Sequence, residues 1–281
     1  IEHQLIQAGE SWDDVLQRSI VNYYKEERGN LLVNKYSNTF SAGYRETFSP
    51  AVAVNDISFI ENLTDKEKGL GMNAYRVSSL KSNVICMKLY RWHDTVPLSD
   101  ALPMLENMGL RVIEENPYAL TLENGEQVWI NDFKMLCDEG RNVDFEAVKS
   151  MFQDTFYQVW IGEAENDQLN SLTLYSKLSW RQISVLRSYA KYIKQIGSAF
   201  STSYIYKTLI GNATISALLI DYFQTKFDPE VKDSSRAKLL LAIEKKALAA
   251  LDSVRVLDED RILRRYLSVI MATVRVNYFQ T

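Results

Sequence analysis

Leu89-Tyr90-Arg91-Trp92-His93-Asp94-Thr95-Val96-Pro97-Leu98-Ser99-Asp100-Ala101-Leu102-Pro103-Met104-Leu105-Glu106-Asn107-Met108-Gly109-Leu110-Arg111-Val112-Ile113 reads as a strand, a helix and a second strand. Proline sets the predicted helix start: inside a helix its ring meets the carbonyl four residues earlier, so Ser99 is the expected N-cap, with Pro103 near the first turn. The stop is carried by Gly109, which takes the left-handed conformation without steric cost and brings Leu110 against Leu105. Leu110 and Val112 then open the next strand.

Working upstream, Ala74 to Val77 and Val84 to Tyr90 are β-rich and joined by the polar segment 78–83, which predicts a hairpin. Ser49-Pro50 restarts a helix, because proline at the first helical position lacks an amide proton that would be unsatisfied there anyway. Val52, Ile57, Ile60 and Leu63 supply its apolar stripe. Downstream, Leu110 to Glu114 and Tyr118 to Leu122 are strand-like, with a bend or bulge expected at Asn116-Pro117. Asn124-Gly125 predicts a type I′ hairpin turn leading into Val128, Trp129, Ile130 and Phe133. The order from Ser49 is therefore α-β-β-α-β-β. Short connections make a four-stranded antiparallel sheet with two helices the economical α+β packing, ferredoxin-like or a circular variant of it.

Both flanks read as helical. Residues 1–48 form an expected helical arm, capped at Ser11, with Trp12, Val15, Leu16, Ile20 and Tyr23 at helical spacing and an interruption at Arg28-Gly29. Residues 49–140 hold the α+β domain. Residues 141–281 form an expected helical domain: Phe145, Val148, Phe152, Phe156 and Val159 repeat at helical intervals, and Ser179-Trp180-Arg181-Gln182 is a capping box. Further helices follow through Ile215–Phe223, Leu240–Leu251 and Ile262–Ile270, with short loops that argue for an antiparallel bundle.

The 281 residues, 46% hydrophobic and 24% charged, suit a globular chain of two or three domains. A formal charge of −4 gives no electrostatic footprint for nucleic acid. No apolar run is long enough to span a bilayer, so no membrane partner is expected. Cys86 and Cys137, in apolar surroundings and outside any C-x-x-C spacing, read as reduced core thiols of a cytoplasmic protein.

Candidate chemistry is sparse. Gly69-Leu70-Gly71-Met72-Asn73-Ala74 matches G-x-G-x-x-A, but a dinucleotide fingerprint needs a strand before it and a helix after it, and here the order is reversed. His93 with Asp94 sits at the strand-to-helix turn, where a general base is conceivable, yet no nucleophile accompanies it. His3 is the other histidine, and two distant histidines with two distant cysteines do not make a metal site. Glu163, Glu165 and Asp167 read as a solvated acidic loop. Arg261, Arg264, Arg265 and Arg275 give the last helix and its tail a basic face able to meet an acidic partner domain. The five tryptophans, Trp12, Trp92, Trp129, Trp160 and Trp180, read as core or interface anchors.

Several separated segments carry a family likeness. Leu89-Tyr90-Arg91-Trp92, Pro97-Leu98-Ser99-Asp100, Leu102 to Ile113, Leu178-Ser179-Trp180-Arg181-Gln182, Leu186 to Tyr192, Lys226-Phe227-Asp228-Pro229, Asp260 to Arg265 and Asn277-Tyr278-Phe279-Gln280 resemble the large-subunit bacterial NAD-specific glutamate dehydrogenases, in the same order. The resemblance implies that 49–140 is an ACT-like domain and that the chain is an interior fragment ahead of the catalytic region. It implies a parent enzyme that oxidatively deaminates L-glutamate to 2-oxoglutarate and ammonia with NAD as cofactor, while this fragment holds no catalytic, cofactor-binding or metal-ligating residue. The implied partners are the enzyme's own catalytic region and other subunits of a homo-oligomer. The leading expectation is a noncatalytic regulatory and scaffolding segment. One alternative is an amino-acid-sensing ACT-like module whose ligand sits at His93, Asp94, Thr95 and Val96, where backbone amides can receive a carboxylate. Another is an independent protein-interaction scaffold.

Overall fold

The stretch from Leu89 to Ile113 folds as strand, helix and strand in the computed structural model, which describes residues 10–63, 65, 69–77, 80–138, 140, 141 and 143–280. The helix, however, begins at Leu98, one residue before the expected cap, and Pro103 lies inside it. The Pro97 carbonyl accepts from the Asp100 and Ala101 amides and so does the capping that Ser99 was expected to do. Pro103 then leaves the Ser99 carbonyl without its helical donor, a cost confined to the first two turns. At the other end Gly109 takes φ +84° and its amide donates to Glu106, closing the helix where the sequence places the stop.

The chain divides into two compact units, Ile1–Leu102 with Val112–Leu136, and Pro103–Arg111 with Cys137–Thr281. In the first, helices α1 (Trp12–Tyr24), α2 (Glu26–Tyr36), α3 (Ala42–Thr47) and α4 (Pro50–Glu61) precede strands β1 (Gly71–Tyr75) and β2 (Val84–Trp92). The chain continues through α5 (Leu98–Asn107), β3 (Leu110–Thr121) and β4 (Gln127–Cys137), of which Pro103–Arg111 and Cys137 fall to the second unit. Ser11 and Asp14 form a capping box at α1. The expected interruption at Arg28-Gly29 falls instead at Lys25, which takes φ +69°. Gly29 lies within α2 because a Cβ there would stand 2.7 Å from the Val21 Cα; glycine is what lets α1 and α2 pack so closely.

The sheet order is β1-β2-β4-β3, with β1 and β2 a hairpin and β4 antiparallel to β2 through Trp92↔Val128 and Val84↔Leu136. The chain leaves β2 through α5, lays β3 at the edge and returns with β4 in the gap, which is the circular variant of the ferredoxin-like order. The edge position explains Pro117: β3 runs unbroken through it, since an edge strand has a row of amides with no partner to lose. The β3–β4 turn also departs from expectation. Asn124 does not have positive φ; the Leu122 carbonyl accepts from Gly125 at φ +83° and the Leu122 amide donates to Glu126, a three-residue loop with a glycine bulge. The Asn124 side chain stabilises this form by accepting from the Glu126 amide at 3.0 Å.

One face of the sheet carries Tyr90, Trp92, Val128 and Ile130 into a core with Leu16, Ile20, Tyr36, Tyr44, Ile57 and Ile60 from the four leading helices. On the other face Met87, Leu89, Phe133 and Met135 are also fully buried, so β2 and β4 are central in both senses.

The second unit is helical: α6 (Phe145–Trp160), a short 3-10 turn at Gln168–Ser171, α7 (Leu172–Ser176), α8 (Trp180–Gln195), α9 (Thr202–Gly211), α10 (Ala213–Phe227), α11 (Asp233–Leu251) and α12 (Leu257–Ala272). The Ser179/Gln182 capping box opens α8 as the sequence predicts. Leu186, Leu219, Phe223, Leu263, Tyr266 and Ile270 share one core, and the Tyr266 hydroxyl donates to the Leu186 carbonyl at 3.2 Å. Cys86 and Cys137 are buried free thiols, the former pushed up to about 11 chiefly by burial. No helix among the described residues is long and apolar enough to cross a membrane.

Candidate functional site

The turn from His93 to Val96 is built by the end of β2 and its neighbour β4. His93 takes φ +68°, a left-handed turn that swings the chain out of the sheet; its amide donates to the Gln127 carbonyl at 2.8 Å, and its own carbonyl accepts from the Trp129 indole at 3.2 Å. The Asp94 amide donates to Trp92 at 2.8 Å. The Val96 amide donates at 3.2 Å to the side-chain oxygen of Asn131, whose amide nitrogen reaches the Thr95 hydroxyl at 2.9 Å and the Glu115 carboxylate at 2.8 Å.

Asn131 is thus the residue that holds the turn, and sequence reasoning did not single it out. It is buried opposite Leu89 on the inner row of β4, with Phe133 and Met135 following at period two. A polar side chain in that row is the signal that marks it. His93, Asp94 and Thr95 are exposed while Val96 is buried, so the structure brings the four predicted residues together as a short, internally bonded loop. His3 lies outside the described residues.

A second constellation lies on the opposite face of the same sheet. Asp56 of α4 and Lys88 of β2 are each only 1% exposed at the side chain, with Nζ 2.5 Å from Oδ2. The Tyr44 hydroxyl donates to the same oxygen at 2.5 Å and the Tyr90 hydroxyl to Oδ1 at 2.9 Å. The ammonium also stands 3.5 Å from the centre of the Phe48 ring, a cation–π contact in a water-poor site. Asp132, the cross-strand partner of Lys88, accepts from the Tyr75 hydroxyl at 2.9 Å. Burial pushes Asp132 up to about 6, against the lowering effects of Tyr75 and Lys88, while Asp56 and Glu114 add to the rise. The hydroxyls of Tyr44, Tyr75 and Tyr90 are likewise held well above the ordinary tyrosine range, first by burial and then by the carboxylates. One lysine faces two carboxylates here, with Lys88 and Asp56 fully enclosed and Asp132 partly buried.

Sequence signals for this cluster existed. Asp56 occupies the stripe of Val52 and Ile60 at steps of four, and Lys88 interrupts a run in which every position from Val84 to Tyr90 is buried. Charged residues at inward positions call for partners, but only the packed structure pairs them.

In the helical unit Glu163 and Glu165 of the acidic segment are exposed, as the sequence suggests, but Asp167 is not merely solvated. Arg187, 3% exposed, donates to both Asp167 oxygens at 2.6 and 3.1 Å, to Asn170 at 3.0 Å and more weakly to the Glu165 carbonyl. Its guanidinium fork matches the planar carboxylate and anchors residues 165–170 to α8. Lys191 meets Glu165 at 2.5 Å. No group of three or more metal-ligating side chains is found among the described residues.

Comparisons with known proteins bear on this architecture. Four family models match: glutamate dehydrogenase helical motif 2 over residues 19–63, glutamate dehydrogenase ACT3 domain over 69–148, glutamate dehydrogenase helical motif 3 over 164–229, and the bacterial NAD-glutamate dehydrogenase catalytic domain over 246–281. The last begins inside α11, so the catalytic-domain match takes in the end of the chain, where the sequence reading expected the whole chain to lie ahead of the catalytic region. The chain is 39% identical over 286 aligned residues to an NAD-specific glutamate dehydrogenase of Pseudomonas aeruginosa. It is 35% identical to that of Halomonas elongata and 31% identical to that of Mycobacterium tuberculosis. Each match takes in 100% of this chain and 17% of the relative, so the chain spans about a sixth of the length of these curated proteins.

Proposed function

The chain belongs to the bacterial NAD-specific glutamate dehydrogenase family, and we propose that it serves as a noncatalytic regulatory and scaffolding segment of such an enzyme. The parent reaction on this reading converts L-glutamate, NAD and water to 2-oxoglutarate, ammonia and NADH, with the chemistry performed elsewhere in the polypeptide. The partners are the enzyme's own catalytic region and the other subunits of a homo-oligomer, and the buried free thiols suit a reducing cytoplasm. On this reading the leading helices with the ACT-like sheet form one part of the scaffold and the helical bundle another.

The observation that carries this reading is the order of the matches: an ACT domain between two helical motifs, with the catalytic-domain match confined to residues 246–281. The side chains support it, since Asp56, Lys88 and Arg187 are enclosed by protein partners, as structural ions are, rather than opened to a reacting molecule. Amino-acid sensing at His93–Val96 is the competing role. The amides of His93, Asp94 and Val96 are already bonded within the protein, which favours the frame.

Two measurements test the reading. The full-length enzyme produces NADH from L-glutamate and NAD, followed by absorbance, while the isolated 281-residue chain produces none; turnover by the isolated chain would overturn the proposal. Calorimetric titration of the chain with amino acids yields no heat. Saturable heat that disappears in Asn131→Ala would move the assignment to sensing.

A further inference from the structure

Within the helical unit, α8, α12 and the segment 273–278 enclose an open groove of about 880 Å³. Along α8 it is lined in a single stripe from Trp180 to Ile196, a little over four turns and about 24 Å of helix. Its floor is apolar, with Val185, Tyr189, Phe223, Val269 and Val276, and the large side chains of Tyr192 and Ile196 remain 49% and 41% exposed along it. Its polar lining contains three guanidinium groups, Arg181, Arg265 and Arg275, and no carboxylate.

The arginines of this region divide by direction. Arg261 and Arg264 pair with Asp258 and with Asp252 and Asp260. Arg265 and Arg275 have no ion pair among the described residues, and Arg181 spends itself on the Tyr278 carbonyl at 3.2 Å and on the face of the Tyr278 ring. An apolar trough with unneutralised positive charge at its rim is complementary to an amphipathic helix whose flanks are acidic. Length agrees: a four-turn helix is ~22 Å long, close to the extent of the α8 stripe.

The two walls also point to the source of that helix. The α8 wall lies in the helical motif 3 match and the α12 wall in the catalytic-domain match, and the relatives are about six times as long as this chain. We propose that this groove is the seat of an acidic amphipathic helix from the catalytic region of the same polypeptide, clamped through Arg265 and Arg275. The proposal rests on the scaffolding reading and sharpens it to one surface and one partner chemistry.

The test uses the full-length enzyme with a photoreactive benzoylphenylalanine in place of Ser188, an exposed residue of the groove. Irradiation is expected to give an intrachain crosslink, at unchanged subunit mass, to a helical peptide of the catalytic region bearing several carboxylates. Arg265→Glu with Arg275→Glu reduces its yield by about tenfold, whereas Arg265→Lys with Arg275→Lys retains most of it. A crosslink to another subunit, to a peptide outside the catalytic region, or to no peptide at all overturns the proposal, and the Ser188 probe alone decides this should the charge reversals not fold. Turnover by the isolated chain would remove the scaffolding reading itself; no such turnover together with a misplaced crosslink removes the groove assignment alone.

Discussion

Lys88→Met isolates what the buried ion pair contributes, because methionine keeps most of the aliphatic stem and deletes the ammonium. In the native fold Asp56 has three partners, Lys88 at 2.5 Å, Tyr44 at 2.5 Å and Tyr90 at 2.9 Å, and its side chain is 1% exposed. The variant leaves a buried carboxylate with two neutral donors. Removing one member of a buried pair costs about 3–5 kcal/mol, since the remaining charge keeps its desolvation penalty without its compensation. With a urea m-value of about 2 kcal/mol/M, that is a fall of about 2 M in the unfolding midpoint at pH 8. Asp56→Asn combined with Lys88→Met removes both charges and recovers most of the midpoint. A deficit under about 1 kcal/mol at pH 8, the size of an exposed pair, would refute the reasoning.

Asp132 gives the stability a pH dependence. Its folded-state value is raised to about 6, so its contribution to stability is complete below the ordinary aspartate range and is lost as pH rises through about 6, a change of about 3 kcal/mol. Asp132→Asn, which still accepts from Tyr75, flattens that slope in urea unfolding between pH 4 and 8 and equals or exceeds the native chain in stability above pH 7; an unchanged slope counts against the assignment. Asn131→Ala strands the Val96 amide and frees Glu115, a cost of about 1–3 kcal/mol, and amide exchange accelerates at residues 95 and 96; unaltered exchange there would mean another group holds the turn. Gly29→Ala gains up to ~1 kcal/mol of helix propensity but drives a Cβ to 2.7 Å from the Val21 backbone, an overpacking cost of about 1–3 kcal/mol, so the net change is destabilising. A higher melting temperature for this variant would show that α1 and α2 separate freely.

Much of the fold was legible wherever a single residue's stereochemistry decides the outcome. Ser49-Pro50 starts α4, the Ser179/Gln182 box starts α8 and Gly109 stops α5, because each acts on hydrogen bonds within one helical turn. The local readings that failed did so where two local preferences competed. Pro97 displaced Ser99 as the start of α5, Lys25 took the break expected at Gly29, and the Asn124 side chain stabilised a bulged turn over the two-residue form.

The site features were harder to read for a different reason. Asp56 and Lys88 are separated by 32 residues and Asp167 and Arg187 by 20, while the groove joins α8 to a segment some 80 residues away. Sequence alone determined the element types, the order α-β-β-α-β-β followed by helices, and the family, since periodicity, caps and ordered motifs are properties of neighbouring residues. Only the tertiary structure decided that β4 enters between β2 and β3, that buried charges meet one another, that Asn131 holds the 93–96 turn, and that three arginines line one trough. Those outcomes depend on which inward-facing groups packing brings within a few ångströms, and the free energy of burying a charge or an amide is set by the partners it finds there.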